Sequence, residues 1–266
     1  MFLGKVQVLW NNRVSSSYYK IGLNCSEDLS AAMPGQFVMI RLTSGIMPLL
    51  RRPFSVHNVK DNKTNGKYIE ILYDVVGEFT GRLSEIKAGE WLDIMGPLGK
   101  GFVLNKNYSK IFIVAGGIGV APMFFLSSYL VEKQNVDSLS IKIFLGARTK
   151  ECVLCRDDFF NYGLEIITAT DDGSEGEPCF ITNSVETALA QSRPEIIFAC
   201  GPLGMLQSLA GIAQKYEVPC QVSMESLMAC GIGACLGCAL EGNDKNSYLH
   251  VCKDGPVFDS RDIKFG

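Results

Sequence analysis

Four cysteines near the end of the chain have the type and spacing to act together. Cys230, Cys235 and Cys238 form a C-x4-C-x2-C array, and Cys252 follows after a further thirteen residues. This is the plant-type spacing for a [2Fe–2S] cluster held by four thiolates. Two irons and two sulfides require soft anionic ligands from opposite sides, so one loop wraps the group with three and a separate strand supplies the fourth. Gly231, Gly233, Ala234 and Gly237 are the small residues such a loop needs, because they admit left-handed backbone and let N–H groups approach sulfur. A structural zinc site more commonly pairs C-x2-C with a second C-x2-C and needs no glycine-rich x4 gap. The rest of the chain is therefore expected to bring electrons to this group or to take them away.

Other stretches carry weaker chemistry. Leu50-Arg51-Arg52-Pro53-Phe54-Ser55 makes a compact anion-binding corner: an arginine holds a phosphate bidentately, Phe54 covers a planar ring and Ser55 hydrogen-bonds a ring nitrogen. Taken alone, such a turn is more often a solvated loop. Leu72-Tyr73-Asp74 runs through Gly77 to Thr80-Gly81, where the N–H groups of a helix start suit a pyrophosphate, or simply an ordinary N-cap. In Ala115–Pro122, Gly116, Gly117 and Gly119 allow close backbone approach to a diphosphate, and Pro122 suits the first helical position. The third glycine of G-x-G-x-x-G is missing. Cys200-Gly201-Pro202 places small residues at another strand end, although Cys200 reads equally well as a buried core thiol. Cys152 and Cys155 form a C-x-x-C with no second pair at hand and read as structural, as do the isolated Cys25, Cys179 and Cys220. His57 and His250 lie far apart in sequence and build no triad or metal pattern.

The elements that must position these residues fall into three regions: 1–100, 101–222 and 223–266. In the first, Lys5–Trp10, Tyr18–Leu23, Gln36–Leu42, Phe54–Asn58, Lys67–Val76 and Trp91–Met95 are rich in Val, Ile, Tyr and Phe and bounded by turn residues. They predict a closed antiparallel β-barrel, with one short helix near Thr80–Ile86 capped by Thr80. The glycine- and proline-bearing Met95–Phe102 marks its end. Strands at Lys110–Ala115, Ser140–Leu145, Leu164–Thr170, Ile196–Cys200 and Gln221–Met224 then alternate with helices at Pro122–Glu132, Arg156–Tyr162, Thr182–Gln191 and Met205–Tyr216. That alternation predicts a parallel α/β nucleotide-binding domain whose ligands sit at the carboxyl ends of the strands. A small cysteine-bearing subdomain closes the chain, with a variable loop at Asn243–Ser247.

With 266 residues, 47% hydrophobic, the chain has ample material for buried cores. A net charge of −3 argues against nucleic acid as a partner and leaves no basic face for a membrane. Ten cysteines without a paired framework point to a reducing, cytoplasmic setting, and Met1–Trp10 lacks the features of a signal peptide. Ile111–Val131 is uncharged and long enough to span a bilayer. Its central glycines and Pro122 fit a strand, a turn and a helix better, so no membrane span is expected.

In this order the motifs resemble the ferredoxin–NADP reductase superfamily along essentially the whole chain. Arg52-Pro53-Phe54-Ser55 is similar to its R-x-[YF]-S flavin motif, Gly116–Pro122 to its glycine turn and Cys200-Gly201-Pro202 to its C-G-P motif. Met95–Gly99, Thr170–Ser174, Met224-Glu225-Ser226 with Met228-Ala229-Cys230, and Cys252–Phe258 resemble, more narrowly, the electron-transfer subunits of bacterial type 1B dihydroorotate dehydrogenases. The resemblance implies FAD in the barrel, with Arg52 and the Thr80–Gly81 turn near its diphosphate and Ser55 near its isoalloxazine. Leu72, Tyr73 and Asp74 belong to the same site. It also implies NAD in the second domain and a cluster facing a partner. In that family the partner is an FMN-containing catalytic subunit that oxidises dihydroorotate to orotate in pyrimidine biosynthesis, and two copies of each chain make a heterotetramer. The present chain, which shows no base for abstracting a substrate proton, would carry electrons onward by way of [2Fe–2S] and FAD to NAD⁺. Phe79 stands where relatives often have a small residue. Small subunits of ferredoxin:NADP reductase or sulfide dehydrogenase complexes share this layout but commonly replace one cluster cysteine with Asp, so four cysteines favour the dihydroorotate reading. A non-catalytic docking protein stapled by a metal would have no use for flavin motifs.

Overall fold

The β-branched and aromatic residues of the first hundred positions do form strands. In the computed structural model, which describes residues 1–43, 48–62, 66–105, 108–244 and 247–265, they give β1 (Phe2–Arg13), β2 (Tyr18–Asn24), β3 (Phe37–Leu42), β4 (Arg52–Ser55), β5 (Asn58–Asn62), β6 (Gly66–Asp74) and β7 (Trp91–Leu98). These pair antiparallel in the order β4-β3-β7-β1-β2-β6-β5. Inward residues such as Val8, Ile21, Ile40, Ile69, Ile71 and Ile94 fill one core. Among the described residues the edge strands β4 and β5 pair with β3 and β6 and not with each other, so the sheet curls into a half-barrel where closure was expected. The single strand expected over Phe54–Asn58 is broken for the same reason. The Val56 N–H donates to the Gln36 carbonyl at 3.1 Å and the His57 N–H to the Glu70 carbonyl at 2.8 Å. The chain thus steps from one sheet edge to the other at Val56–His57.

Two short helices, α1 (Glu27–Ser30) and α2 (Glu78–Glu85), complete this part. Thr80 does not cap α2 from outside. Gly77 is the N-cap, and Thr80, one turn inside, accepts from the N–H groups of Val76 and Gly77 at 3.0 and 3.2 Å.

On the outer face Asp93 of β7 takes Arg41 at 2.7 Å and Arg51 at 2.6 Å. Burial alone would raise its carboxyl, but hydrogen bonds and charge from the two arginines outweigh that and hold it below the usual carboxylate range. A folded-state pKa below the unfolded one means that this stabilisation is complete above about pH 4 and is lost as the pH falls further. Asp93→Asn is expected to cost about 1.5–3 kcal/mol at neutral pH and to flatten the acid limb of stability. Thermal midpoints of both proteins across that range test this; an equally steep acid limb in the variant refutes it.

The second region alternates as its pattern demands: β8 (Ile111–Gly116), α3 (Val120–Glu132), β9 (Ile141–Ala147), α4 (Arg156–Asn161), β10 (Glu165–Thr170), α5 (Ile181–Gln191), β11 (Ile196–Cys200), α6 (Leu203–Lys215) and β12 (Cys220–Ser223). The strands are parallel in the order β10-β9-β8-β11-β12. Every residue of β8 is buried, as expected for a central strand covered on both faces. The apolar run Ile111–Val131 is β8, a tight turn and α3. Among the described residues no helix is long and apolar enough to cross a membrane. Pro122 lies two residues further into α3 than the first helical position expected of it. It is tolerated because first-turn N–H groups have no intrahelical partner. Strand order reverses between β8 and β11, which makes the crevice at their carboxyl ends the place for a ligand.

The last region contributes β13 (Ala239–Glu241), β14 (Tyr248–His250) and β15 (Val257–Asp259). The hairpin β13–β14 carries the loop expected at Asn243–Ser247, of which residues 245–246 lie outside the described residues. β15 returns to pair antiparallel with β12, Val222 opposite Phe258, and so anchors the cysteine loop to the parallel sheet.

Candidate functional site

A cavity of about 720 Å³ opens where the half-barrel, the carboxyl ends of β8 and β11 and the segment after β12 meet. Arg52, Pro53, Phe54 and Ser55 reach it from β4, Leu72, Tyr73 and Asp74 from β6, and Thr80 from α2. Pro122 and Cys200 face them from the α/β domain. Residues far apart in sequence are thus assembled at one place, of a size that suits a planar cofactor.

The two adjacent arginines do different things. Arg51 is locked to Asp93 through Nε and Nη2, at 2.9 and 2.6 Å. Arg52 donates from Nη1 to the Leu50 carbonyl at 3.0 Å and projects into the cavity. Its guanidinium carbon lies 6.0 Å from the centre of the Phe79 ring, and Phe79 in turn packs on Phe54 with centroids 5.9 Å apart. Phe79, the residue that departs from the usual small side chain, is therefore buried support for Arg52 and Phe54, which places a cation and an aromatic face side by side.

Gly77 lines the cavity, whereas Gly81, Gly116, Gly117, Gly119 and Gly201 do not. A side chain at Gly119 would have its Cβ 2.4 Å from the Cys200 carbonyl oxygen, and one at Gly201 would sit 3.0 Å from the Gly116 backbone. Gly116, Gly119 and Gly201 let the β8 turn press against the end of β11. Gly117 and Gly81 have open space around them. Cys200 itself is buried, and burial pushes its thiol up to about 12, so it meets the cavity as a neutral SH.

Sequence reasoning assigned no site role to Ser223, Met224, Glu225, Ser226 and Met228, yet all five form one wall. Met224-Glu225-Ser226 stood out only through resemblance. By composition it is an ordinary loop after a strand, and only the return of β15 to β12 turns it toward the cavity.

That wall runs directly into the cysteines. Cys238 and Cys252 are buried with their sulfurs 3.3 Å apart, packed in a core that includes Phe37, Met39 and Leu98. Cys230 and the exposed Cys235 form a second pair, the Cys235 N–H donating to Cys230 Sγ at 3.4 Å. The Gly233 N–H donates to Cys252 Sγ at 3.0 Å, with Gly233 at φ +79° in the left-handed region. Burial works against ionising Cys230, but the N–H groups of Ile232, Cys235 and Ala234 outweigh it and bring the thiol down to about 6. Cys252, buried beside Cys238, is pushed up to about 12. Among the described residues no three His, Cys, Asp or Glu side chains converge as they would on a single ion. Two pairs of sulfurs, each met by backbone N–H groups, instead fit the donor set of a two-iron cluster.

Cys152 and Cys155 stay apart from this site. Cys155 begins α4 with φ +60°, and burial pushes its thiol up to about 12.

Comparison with known proteins adds two family matches. Residues 225–264 match the iron–sulfur cluster binding domain of dihydroorotate dehydrogenase B, and residues 113–210 match the oxidoreductase NAD-binding domain. The electron transfer subunit of dihydroorotate dehydrogenase B (NAD(+)) from Caldanaerobacter subterraneus subsp. tengcongensis is 37% identical over 98% of this chain and 98% of its own. That of Desulforamulus reducens is 36% identical over 93% of this chain and 92% of its own. Among solved structures, the NADH-dependent reduced ferredoxin-NADP oxidoreductase described in work on flavin-based electron bifurcation has a TM-score of 0.83 at 26% identity, covering 100% of this chain and 91% of that one. A ferredoxin NADP⁺ reductase from Neisseria gonorrhoeae, with a TM-score of 0.67 at 15% identity over 80% of this chain and 91% of its own, is alike in fold.

Proposed function

Since the chain belongs to the family of dihydroorotate dehydrogenase B electron transfer subunits, we propose that it carries electrons from a dihydroorotate-oxidising partner to NAD⁺. The observation that carries this reading is the continuity of cavity and cysteine loop. Met228 lies on the cavity wall and Cys230 is two residues further on, at most about 7 Å along the backbone. A flavin in the cavity and a cluster on the loop are thereby neighbours.

Arg52 and the Thr80–Gly81 turn hold the FAD diphosphate, while Phe54 and Ser55, with Leu72, Tyr73 and Asp74 opposite, hold the ring. Gly116, Gly117, Gly119 and Pro122 shape the NAD site with Cys200 and Gly201, and Cys230, Cys235, Cys238 and Cys252 are the cluster ligands. When bound, the [2Fe–2S] cluster supplies one-electron transfer and FAD links it to the two-electron hydride chemistry of NAD⁺. The chain's own part is to bind, orient and exclude water.

The partner is an FMN-containing catalytic subunit, two of each chain forming the complex in the cytoplasm. Leu227, Ile232 and Leu236 are exposed apolar side chains in the same stretch as the exposed Cys235, the kind of surface a permanent partner covers. A ferredoxin-linked role like that of the 26% identical structure is the second reading; the four cysteines and the more similar relatives favour the first. Co-expression with the neighbouring catalytic subunit, anaerobic purification and an assay of dihydroorotate-dependent NAD⁺ reduction, with flavin and iron content, tests the proposal. NADH formation with FMN, FAD and cluster iron is expected. FAD and iron without dihydroorotate activity would move the chain to another complex.

A further inference from the structure

His57 is one of two histidines in the chain and no motif absorbs it. It occupies the corner where the chain crosses from β4 to β5, two residues after Ser55, with its backbone N–H on the Glu70 carbonyl of β6. Its side chain is completely buried and reaches across to α3. Nδ1 lies 3.0 Å from the Ala121 carbonyl oxygen in the first turn of α3, and the ring stacks on Phe124 of the same helix with centroids 5.0 Å apart and planes at 26°. A carbonyl only accepts, so Nδ1 carries the proton and Nε2 is the bare nitrogen. Nε2 has no hydrogen-bond partner among the described residues. Burial brings the ring's pKa down to about 3, which keeps it neutral.

Both ends of this link reach the cavity. Ser55 lies on its half-barrel side, and Ala121 and Pro122 lie on its α/β side. Other bonds between the two bodies, such as Lys20–Asp158 at 3.4 Å and Ser15 Oγ to the Glu151 carbonyl at 2.7 Å, involve residues that do not line it.

We propose that His57 is a positioning residue: its Nδ1–H bond to Ala121 ties the flavin strand to the first turn of α3 and sets how the nicotinamide meets the flavin ring. It touches neither cofactor. It acts through Ser55 on one side and Ala121–Pro122 on the other. Hydride transfer needs the reacting atoms about 3–3.5 Å apart, and a displacement near 1 Å costs on the order of 100-fold. The inference rests on the FAD–NAD reading of the cavity.

Two substitutions separate the hydrogen bond from mere filling of space. His57→Phe keeps the ring stacked on Phe124 and removes the donor. His57→Asn places an amide N–H where Nδ1 was and removes the ring. The purified, FAD-loaded proteins are compared by flavin absorbance, by NADH-dependent dye reduction and by the long-wavelength charge-transfer absorbance of reduced flavin with NAD⁺. H57F is expected to retain FAD but to lose charge-transfer absorbance and about 10- to 100-fold in kcat, whereas H57N stays within a few-fold of wild type. If H57F keeps both signals and H57N loses them, His57 is only packing and the inference falls. Should H57F fail to fold, nitrogen NMR of wild-type holoprotein decides: an Nδ1–H tautomer upholds the bond and an Nε2–H tautomer overturns it. FAD-loaded wild type that reduces no dye with NADH would instead remove the underlying reading of the cavity.

Discussion

Replacing Cys238 by Ala is expected to leave a flavoprotein that still reduces artificial dyes with NADH but accepts no electrons from its catalytic partner. Cys238 is buried, 3.3 Å from Cys252 Sγ, and also accepts the Cys252 N–H at 3.5 Å. Removing it deletes one ligand and leaves its pair member without the sulfur that fixes it, so cluster iron falls to background. The cavity residues proposed for the flavin lie on β4, β6 and α2, and none of these elements contains a cysteine. FAD content and NADH–dye turnover should therefore stay within a few-fold of wild type, while dihydroorotate-dependent NAD⁺ reduction is lost. Cys235→Ala should lose iron equally but cost less in thermal stability, because Cys235 is exposed and its removal opens no hole in the core. Buried Cys238 leaves a small cavity, worth about 1 kcal/mol or more. Cys152→Ser should leave iron unchanged. Dye reduction that disappears with FAD still bound would show that electrons do not pass in this order.

The cysteine array was legible because its meaning lies in spacing along the chain, three cysteines in one loop and Cys252 after a further thirteen residues. The alternation of β8 to β12 with α3 to α6 was legible too, since each element carries its own period and its own turn signals. What stayed hidden depends on which groups a stretch meets in space. Phe54–Asn58 reads as one strand by composition, but Val56 and His57 donate to carbonyls on opposite sheet edges. No local rule announces that step. β15 is a three-residue segment with no signal of its own until it finds β12, and the place of the Ser223–Met228 wall at the cavity depends on that pairing. His57 has no second histidine near it in sequence with which to form a motif. Its partners are a backbone carbonyl and a phenyl ring on α3, neither of which leaves a pattern to read. The spacing motifs name the chemistry, and these long-range contacts decide how closely its parts approach.

Arg51 and Arg52 make the same point in adjacent residues of one type, and separating them gives the second large effect. Arg52→Ala is expected to weaken FAD retention about 10- to 150-fold, the equivalent of about 1.5–3 kcal/mol for hydrogen bonds to a charged group. Its guanidinium enters the cavity beside Phe79 and Phe54, whereas Arg51 is spent on Asp93. Arg51→Ala should accordingly lower thermal stability, and most of all above the pH at which Asp93 protonates, with little change in flavin affinity. Arg52→Lys should fall between wild type and Ala, since an ammonium keeps the charge but not the two-pronged geometry that grips a phosphate. The measurement is flavin absorbance after desalting, followed by FAD titration of the apoproteins. If Arg51→Ala lost flavin while Arg52→Ala retained it, the diphosphate would have to be placed on the Asp93 side of β4. The cation–aromatic support from Phe79 would then be structural only. If both retained flavin, binding would be carried by the first-turn N–H groups of α2 at Glu78–Thr80, since the Gly81 N–H already donates to the Gly77 carbonyl at 2.8 Å.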